Sequence, residues 1–282
     1  MIANSSNLVF DCHAHVFPDA VAPRVMAELA PGFGLPVAYD GTRAGLLERM
    51  RIGGITGALN APVATSARQV PTINAWAVAH NTWPVLSLGA VHPDTPDIAA
   101  TLRGVRDNGL LGVKLHPEYQ SFLPDEPRLE PIWRLCRELD LVVLLHAGGD
   151  RLFKPPFRGS PERIAKVVRA WPGLKLIAAH LGGYQMWSEF ECDLAGLPVF
   201  LDISFTLDFL ADEEFVRIVR RHGVKQIVFG SDAPWQDPVA TLEHFRRLPF
   251  TKDEQRAILW DNAAGLLKLE APACQRENGT CM

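Results

Sequence analysis

The chain of 282 residues is short of several things, and each shortage excludes a class of protein. Its 5 cysteines stand at 12, 136, 192, 274 and 281 with no Cys-x-x-Cys pair, which argues against a cysteine-built zinc cluster. An odd count, with no signal-like segment at the start of the sequence, sets the expectation of a reducing, cytoplasmic setting. Positive charge is not in excess: the formal net charge is −4, so the clustered basic footprint of a nucleic-acid binder is missing. No apolar run approaches the ~18 residues of a membrane span. There is no Walker-type glycine loop, no low-complexity segment and no short repeat. What remains is an ordinary globular balance, 48% hydrophobic and 21% charged. A single domain over 1–282 is expected, with polar ends at 1–7 and 271–282 outside its core.

Within that frame, short apolar runs alternate with helical stretches. Strands are expected at 8–10, 55–60, 85–92, 111–116, 141–146, 174–180, 199–204 and 226–232. Helices are expected at 23–30, 43–51, 66–83, 97–108, 131–139, 160–171, 184–195, 212–222 and 238–247, with one or two more over 251–270. Thr42 and Ser160 occupy N-cap positions, and Pro161 suits the first helical turn. The strands are near-continuous apolar runs, such as Leu141-Val142-Val143-Leu144-Leu145, as parallel strands covered on both faces require. Eight such units, in a chain longer than the roughly 250 residues a barrel needs, imply an α/β fold of the (β/α)8 TIM type.

Chemistry collects where these strands end. Histidine supplies 9 residues of the chain, and six of them, at 13, 15, 92, 116, 146 and 180, lie at strand ends. Barrel active sites sit at the C-terminal ends of the strands. His13 and His15 are two residues apart, so on an extended strand they share a face, with Asp11 below them. Two imidazoles leave a catalytic metal shell incomplete, because such a site takes about three protein ligands. On the same alternation His146 shares a face with Leu144 and Val142, His180 with Ala178 and Leu176, and Asp232 with Gly230 and Val228. A carboxylate after Ile227-Val228-Phe229 is costly to bury unpaired, whereas beside a divalent ion it is stable and can accept a proton. Asp232 is therefore the candidate catalytic base. Asp202 and Ser204 face inward as candidate partners that orient histidines.

These residues, taken in order, resemble the amidohydrolase superfamily, and in particular its amidohydrolase-2 branch of decarboxylases and hydrolases. The resemblance rests on Asp11-Cys-His-Ala-His15, Gly112-Val-Lys-Leu-His-Pro117, Leu144-Leu-His-Ala-Gly148 and Ala179-His-Leu-Gly-Gly183. It continues through Phe229-Gly-Ser-Asp-Ala-Pro-Trp235 and Ile258-Leu-Trp-Asp-Asn-Ala-Ala264, so it spans nearly the whole chain. It implies metal ligands at His13, His15, His146 and Asp232, with His180 just beyond the ion, orienting substrate or water or acting as acid or base. It implies one divalent ion, zinc by preference with manganese as the alternative. Some superfamily members bridge two metals through a carboxylated lysine on strand four. Lys114, one pleat below the rim, is instead expected to make an ion pair or hold a substrate oxyanion, so a second metal is not expected.

Around this rim stand candidate substrate contacts. His116 lies at the rim of strand four. The loop after strand five carries Arg151, Lys154 and Arg158, cations suited to a carboxylate-bearing substrate. Phe17, Tyr184, Trp187 and Trp235 supply aromatic walls for a small molecule. The leading expectation is hydrolysis of a small amide, ester or lactone by an activated water. Non-oxidative decarboxylation on the same residues is the second, and a non-catalytic metal-binding barrel the third. The expected partner is a small-molecule substrate rather than nucleic acid or membrane, and a homodimer is compatible with the sequence.

Overall fold

The structure is a computed structural model, and it describes residues 8–271. The expected polar ends lie outside the described residues, Ala271 apart. Among the described residues nine strands are interspersed with helices, β3 and β4 alone following one another directly. Strand β1 is Phe10–Ala14, β2 is Gly57–Asn60, β3 is Val85–Ser87 and β4 is Gly89–Ala90. The rest are β5 (Gly112–Leu115), β6 (Val142–Leu145), β7 (Leu176–Ala178), β8 (Phe200–Asp202) and β9 (Ile227–Val228).

All pairings are parallel and follow chain order, β1 to β3 in one ladder and β4 to β9 in the other. β3 and β4 are two halves of one stave, interrupted at Leu88, whose N–H still reaches across to Asn60 O at 2.9 Å. The last stave meets the first through Cys12 N to Phe229 O (2.8 Å), Asp232 N to His13 O (2.7 Å) and His15 N to Ala233 O (2.6 Å). These bonds make a closed ring of eight staves, the barrel that the alternation predicts.

The helices follow the expected sites closely. Helices α2 (Arg43–Gly53) and α4 (Ile98–Asp107) are capped by the side chains of Thr42 and Asp97, which accept from Gly45 N and Ala100 N. Ser160 precedes α6 (Pro161–Ala170) without making a capping bond, so Pro161 alone marks that start. The first helix, α1 (Ala22–Phe33), is longer than expected and runs through Pro31.

Packing separates into two layers. Val113, Leu115, Val143, Leu145, Leu176, Ala178, Leu201, Ile203, Ile227 and Phe229 pack outward with helix residues such as Ile164, Phe215 and Phe245. Phe10, Cys12, Leu59, Val142, Leu144, Ile177 and Val228 fill the barrel, and Trp260 and Leu267 complete that cluster.

This layering corrects two expectations. Leu176 and Ala178 face outward, so strand alternation does not bring His180 to the rim. A left-handed turn does: His180 and Leu181 have φ of 58° and 53°. In β1, Phe10 and Cys12 face inward, and the register slips between Asp11 and Ala14. That bulge breaks the plain alternation that put Asp11 below His13 and His15. The Asp11 carboxylate instead accepts from Ser231 N (3.0 Å), Ser231 Oγ and His13 N (3.1 Å), stapling β1 to the segment after β9.

Candidate metal centre

Three donors converge above the barrel axis. His15 Nε2 lies 2.8 Å from Asp232 Oδ1, and His13 Nε2 lies 3.3 Å from the same oxygen. Ligand atoms of His13, His15 and Asp232 all fall within 4.8 Å of one another. Asp232 has φ of 62°, a left-handed conformation that costs a non-glycine residue energy and is tolerated where function fixes it. Gly230 makes room for the group: a Cβ there would stand 3.0 Å from Asp202 Cβ and 3.1 Å from His13 Cβ.

Charge is set by burial. His13 is 1% exposed, and burial, reinforced by Lys114, holds its imidazole well below the ordinary histidine range. Burial opposes ionisation of Asp232, but His13 and His15 outweigh it and keep the carboxyl at about 2. The neutral imidazole of His13 beside an ionised carboxylate suits a divalent first-row metal.

Asp202 orients the first of these donors. Its Oδ2 lies 2.9 Å from His13 Nδ1, and its Oδ1 accepts from His180 N and Ser204 N, each at 3.0 Å. With Nδ1 donating to Asp202, His13 presents its Nε2 lone pair to the centre. Replacing Asp202 by asparagine is expected to weaken metal binding by roughly 10–100-fold. Competition with a chelator measures this, and unchanged affinity would remove the orienting role.

His146 does not join the trio. Its Nδ1 is 3.0 Å from His180 Nε2 and its Nε2 is 2.9 Å from Gly149 O. It stacks on His116 at 3.9 Å and forms a second group with His116 and Asp150. Gly148, with φ of 81°, lets this loop lie against Tyr184: a Cβ there would meet Tyr184 N at 2.3 Å. Asp150 is a site residue the sequence reading did not single out. It sits 8% exposed on an irregular loop, with Oδ2 3.3 Å from His116 Nε2. Its one sequence signal is an acid four residues beyond a strand-end histidine.

Lys114 points at the centre as the strand phase requires, yet among the described residues it has no carboxylate within 4.0 Å. Its Nζ lies instead 2.9 Å from His13 Nε2. Burial lowers its ammonium to about 8, against the pull of Asp232 and Asp202. The unfolded chain therefore holds more protons between pH 8 and 10.5, and folding stability of the metal-free protein rises across that window. Lys114→Met is expected to stabilise the metal-free protein at pH 7 by about 1–3 kcal/mol and to flatten this rise. Denaturant unfolding with a chelator present tests both.

The aromatic residues form a cap. Phe33, at the end of α1, stacks on Trp235 at 4.5 Å, and Tyr184 and Phe205 complete a buried cluster with Phe17, Trp187 and Phe209 at its margin. Trp187 donates to His180 O at 3.2 Å. Arg151 donates to Tyr184 Oη at 3.3 Å and lies over Phe209 at 5.7 Å. Arg158 is engaged elsewhere, bonded through its backbone and side chain to Glu118, and Lys154 is exposed. His92 contacts Asp94 N and belongs to none of these groups.

With this geometry in view, the chain matches the amidohydrolase family model over residues 10–269, and it belongs to that family, whose members are metal-dependent enzymes. No curated protein matches it. Among solved structures it is similar to an uncharacterized TIM-barrel protein from Bordetella bronchiseptica, at 19% identity and a TM-score of 0.73, over 93% of this chain and 98% of that one. A 5-carboxyvanillate decarboxylase from Novosphingobium aromaticivorans, with manganese bound, aligns at 14% identity and a TM-score of 0.72, over 94% and 98%. A probable 2-pyrone-4,6-dicarboxylic acid hydrolase from Acinetobacter baumannii, with citric acid bound, aligns at 18% identity and a TM-score of 0.66, over 93% and 99%.

Proposed function

We propose that the protein is a metal-dependent hydrolase of a small amide, ester or lactone that carries a carboxylate. The observation that carries this reading is the meeting of His13, His15 and Asp232 within 4.8 Å, on opposite sides of the barrel seam. These residues would hold one divalent ion, zinc or manganese, with His146 turned from Gly149 O to complete the set. When bound, such an ion supplies Lewis acidity, acidifying water and polarising a carbonyl oxygen.

The chain's own groups would do the rest. Asp232, ionised beside His13 and His15 despite its burial, accepts the proton of the attacking water. His180, held by Ser204 Oγ at 2.9 Å on Nδ1, supports charge on the carbonyl oxygen, and Asp232 then passes the proton it took to the leaving group. Lys114 Nζ adds fixed positive charge below. Arg151, with no carboxylate partner within 4.0 Å among the described residues, receives the substrate carboxylate at the mouth, where His116, Tyr184, Trp187 and Trp235 form the walls. The aromatic cap excludes water, which strengthens each of these charge interactions.

Decarboxylation is the second reading, supported by the fold shared with a manganese-bound decarboxylase. The protein loaded with zinc or manganese, incubated with small lactones, esters and amides of carboxylic acids and with aromatic carboxylic acids, separates the two. Acid release without carbon dioxide is the expected result. Carbon dioxide without net hydrolysis would replace the first reading by the second.

A further inference from the structure

One buried hydroxyl, linked to the centre through a row of rings, has no partner among the described residues. Tyr119 Oη is sealed from solvent and makes no hydrogen bond; the other such atoms among the described residues are guanidinium nitrogens of Arg43 and Arg49. A buried hydroxyl is costly to leave unpaired, so this one takes its partner from outside the chain, a water or a ligand atom.

Its neighbours place the ring. The Tyr119 ring stands edge-on to His116 at 4.5 Å and to Phe153 at 5.1 Å. His116 in turn stacks on His146, which meets His180, which lies 5.5 Å from His13. Tyr119 is thus at the far end of a row of rings that begins at the proposed centre. Burial, and then the carboxylates of Asp150 and Asp232, push its phenol up, so it stays protonated and available as a donor. Tyr119 N donates to His116 Nδ1 at 3.4 Å, leaving His116 Nε2 to face Asp150. The carboxylate beside this end disfavours a second anionic group there. The acceptor that suits it is an uncharged oxygen.

We propose that Tyr119 is a specificity residue: its hydroxyl donates to an uncharged oxygen, a carbonyl or hydroxyl, at the end of the ligand remote from His13, His15 and Asp232. The inference rests on the carboxylate-substrate reading above and adds to it a second polar feature on the ligand.

The test compares ligands that differ in that one oxygen. The manganese-loaded full chain and its Tyr119→Phe variant are titrated calorimetrically with benzoate, 3-hydroxybenzoate and 4-hydroxybenzoate. The parent is expected to bind one of the hydroxybenzoates about tenfold more tightly than benzoate. The variant should bind all three alike, with benzoate affinity and metal content unchanged and a melting midpoint no lower than the parent's. Benzoate binding with no preference in the parent, or a preference that survives in the variant, overturns the role of Tyr119 and leaves the carboxylate reading standing. No binding of any of the three by the parent overturns both.

Discussion

Asp232→Asn is expected to leave the barrel folded and to lower turnover by about a thousandfold, the middle of the range for loss of a general base. The effect should be large because two functions meet on one atom. Asp232 Oδ1 is the point that both His13 Nε2 and His15 Nε2 approach, at 3.3 and 2.8 Å. An amide there keeps the volume but loses the charge, and with it both the proton acceptor and part of the metal's attraction. The carboxyl is held at about 2, so the parent's activity should not fall in mild acid on account of this group. Turnover, metal content and unfolding midpoint of the variant, measured together, separate the causes. A variant that turns over at the parent rate would end the assignment of Asp232 as base.

His146→Ala is expected to remove metal content and activity together. The imidazole is buried, and burial, then His116 and His180, keep it neutral, so its nitrogens are lone-pair donors ready for a cation. Its Nδ1 stands 3.0 Å from His180 Nε2. Full metal occupancy in His146→Ala, beside loss of metal in His13→Ala, would confine the ligands to His13, His15 and Asp232. His146 would then belong to the His116–Asp150 wall instead.

Much of this was legible in the sequence because barrels write their topology into apolar runs. Val142–Leu145 and Gly112–Leu115 lie inside the expected strands, and α8 (Asp212–His222) and α9 (Pro238–Arg247) match their expected bounds. The candidate rim was legible for the same reason: histidines ended the runs. What alternation could not reveal is where the backbone leaves it. His180 reaches the site through positive φ, and the register of β1 slips at the residues that matter. Asp150 and Tyr119 lie on irregular loops, where spacing carries no directional information. Lys114 was expected to make an ion pair or hold a substrate oxyanion; its Nζ lies against His13 Nε2, a contact between residues 101 apart that only the closed ring creates.

The Asp11–Ser231 staple has a consequence for how the molecule is made. The imidazoles at 13 and 15 leave the ribosome well before their carboxylate partner at 232. A nascent chain therefore carries an idle pair of donors until residue 232 has been made and the ring can shut. Any ion it then takes acts as a clasp, its binding free energy added to the closing of the seam. Chain breaks anywhere in the intervening staves should cost metal retention before they cost helix content.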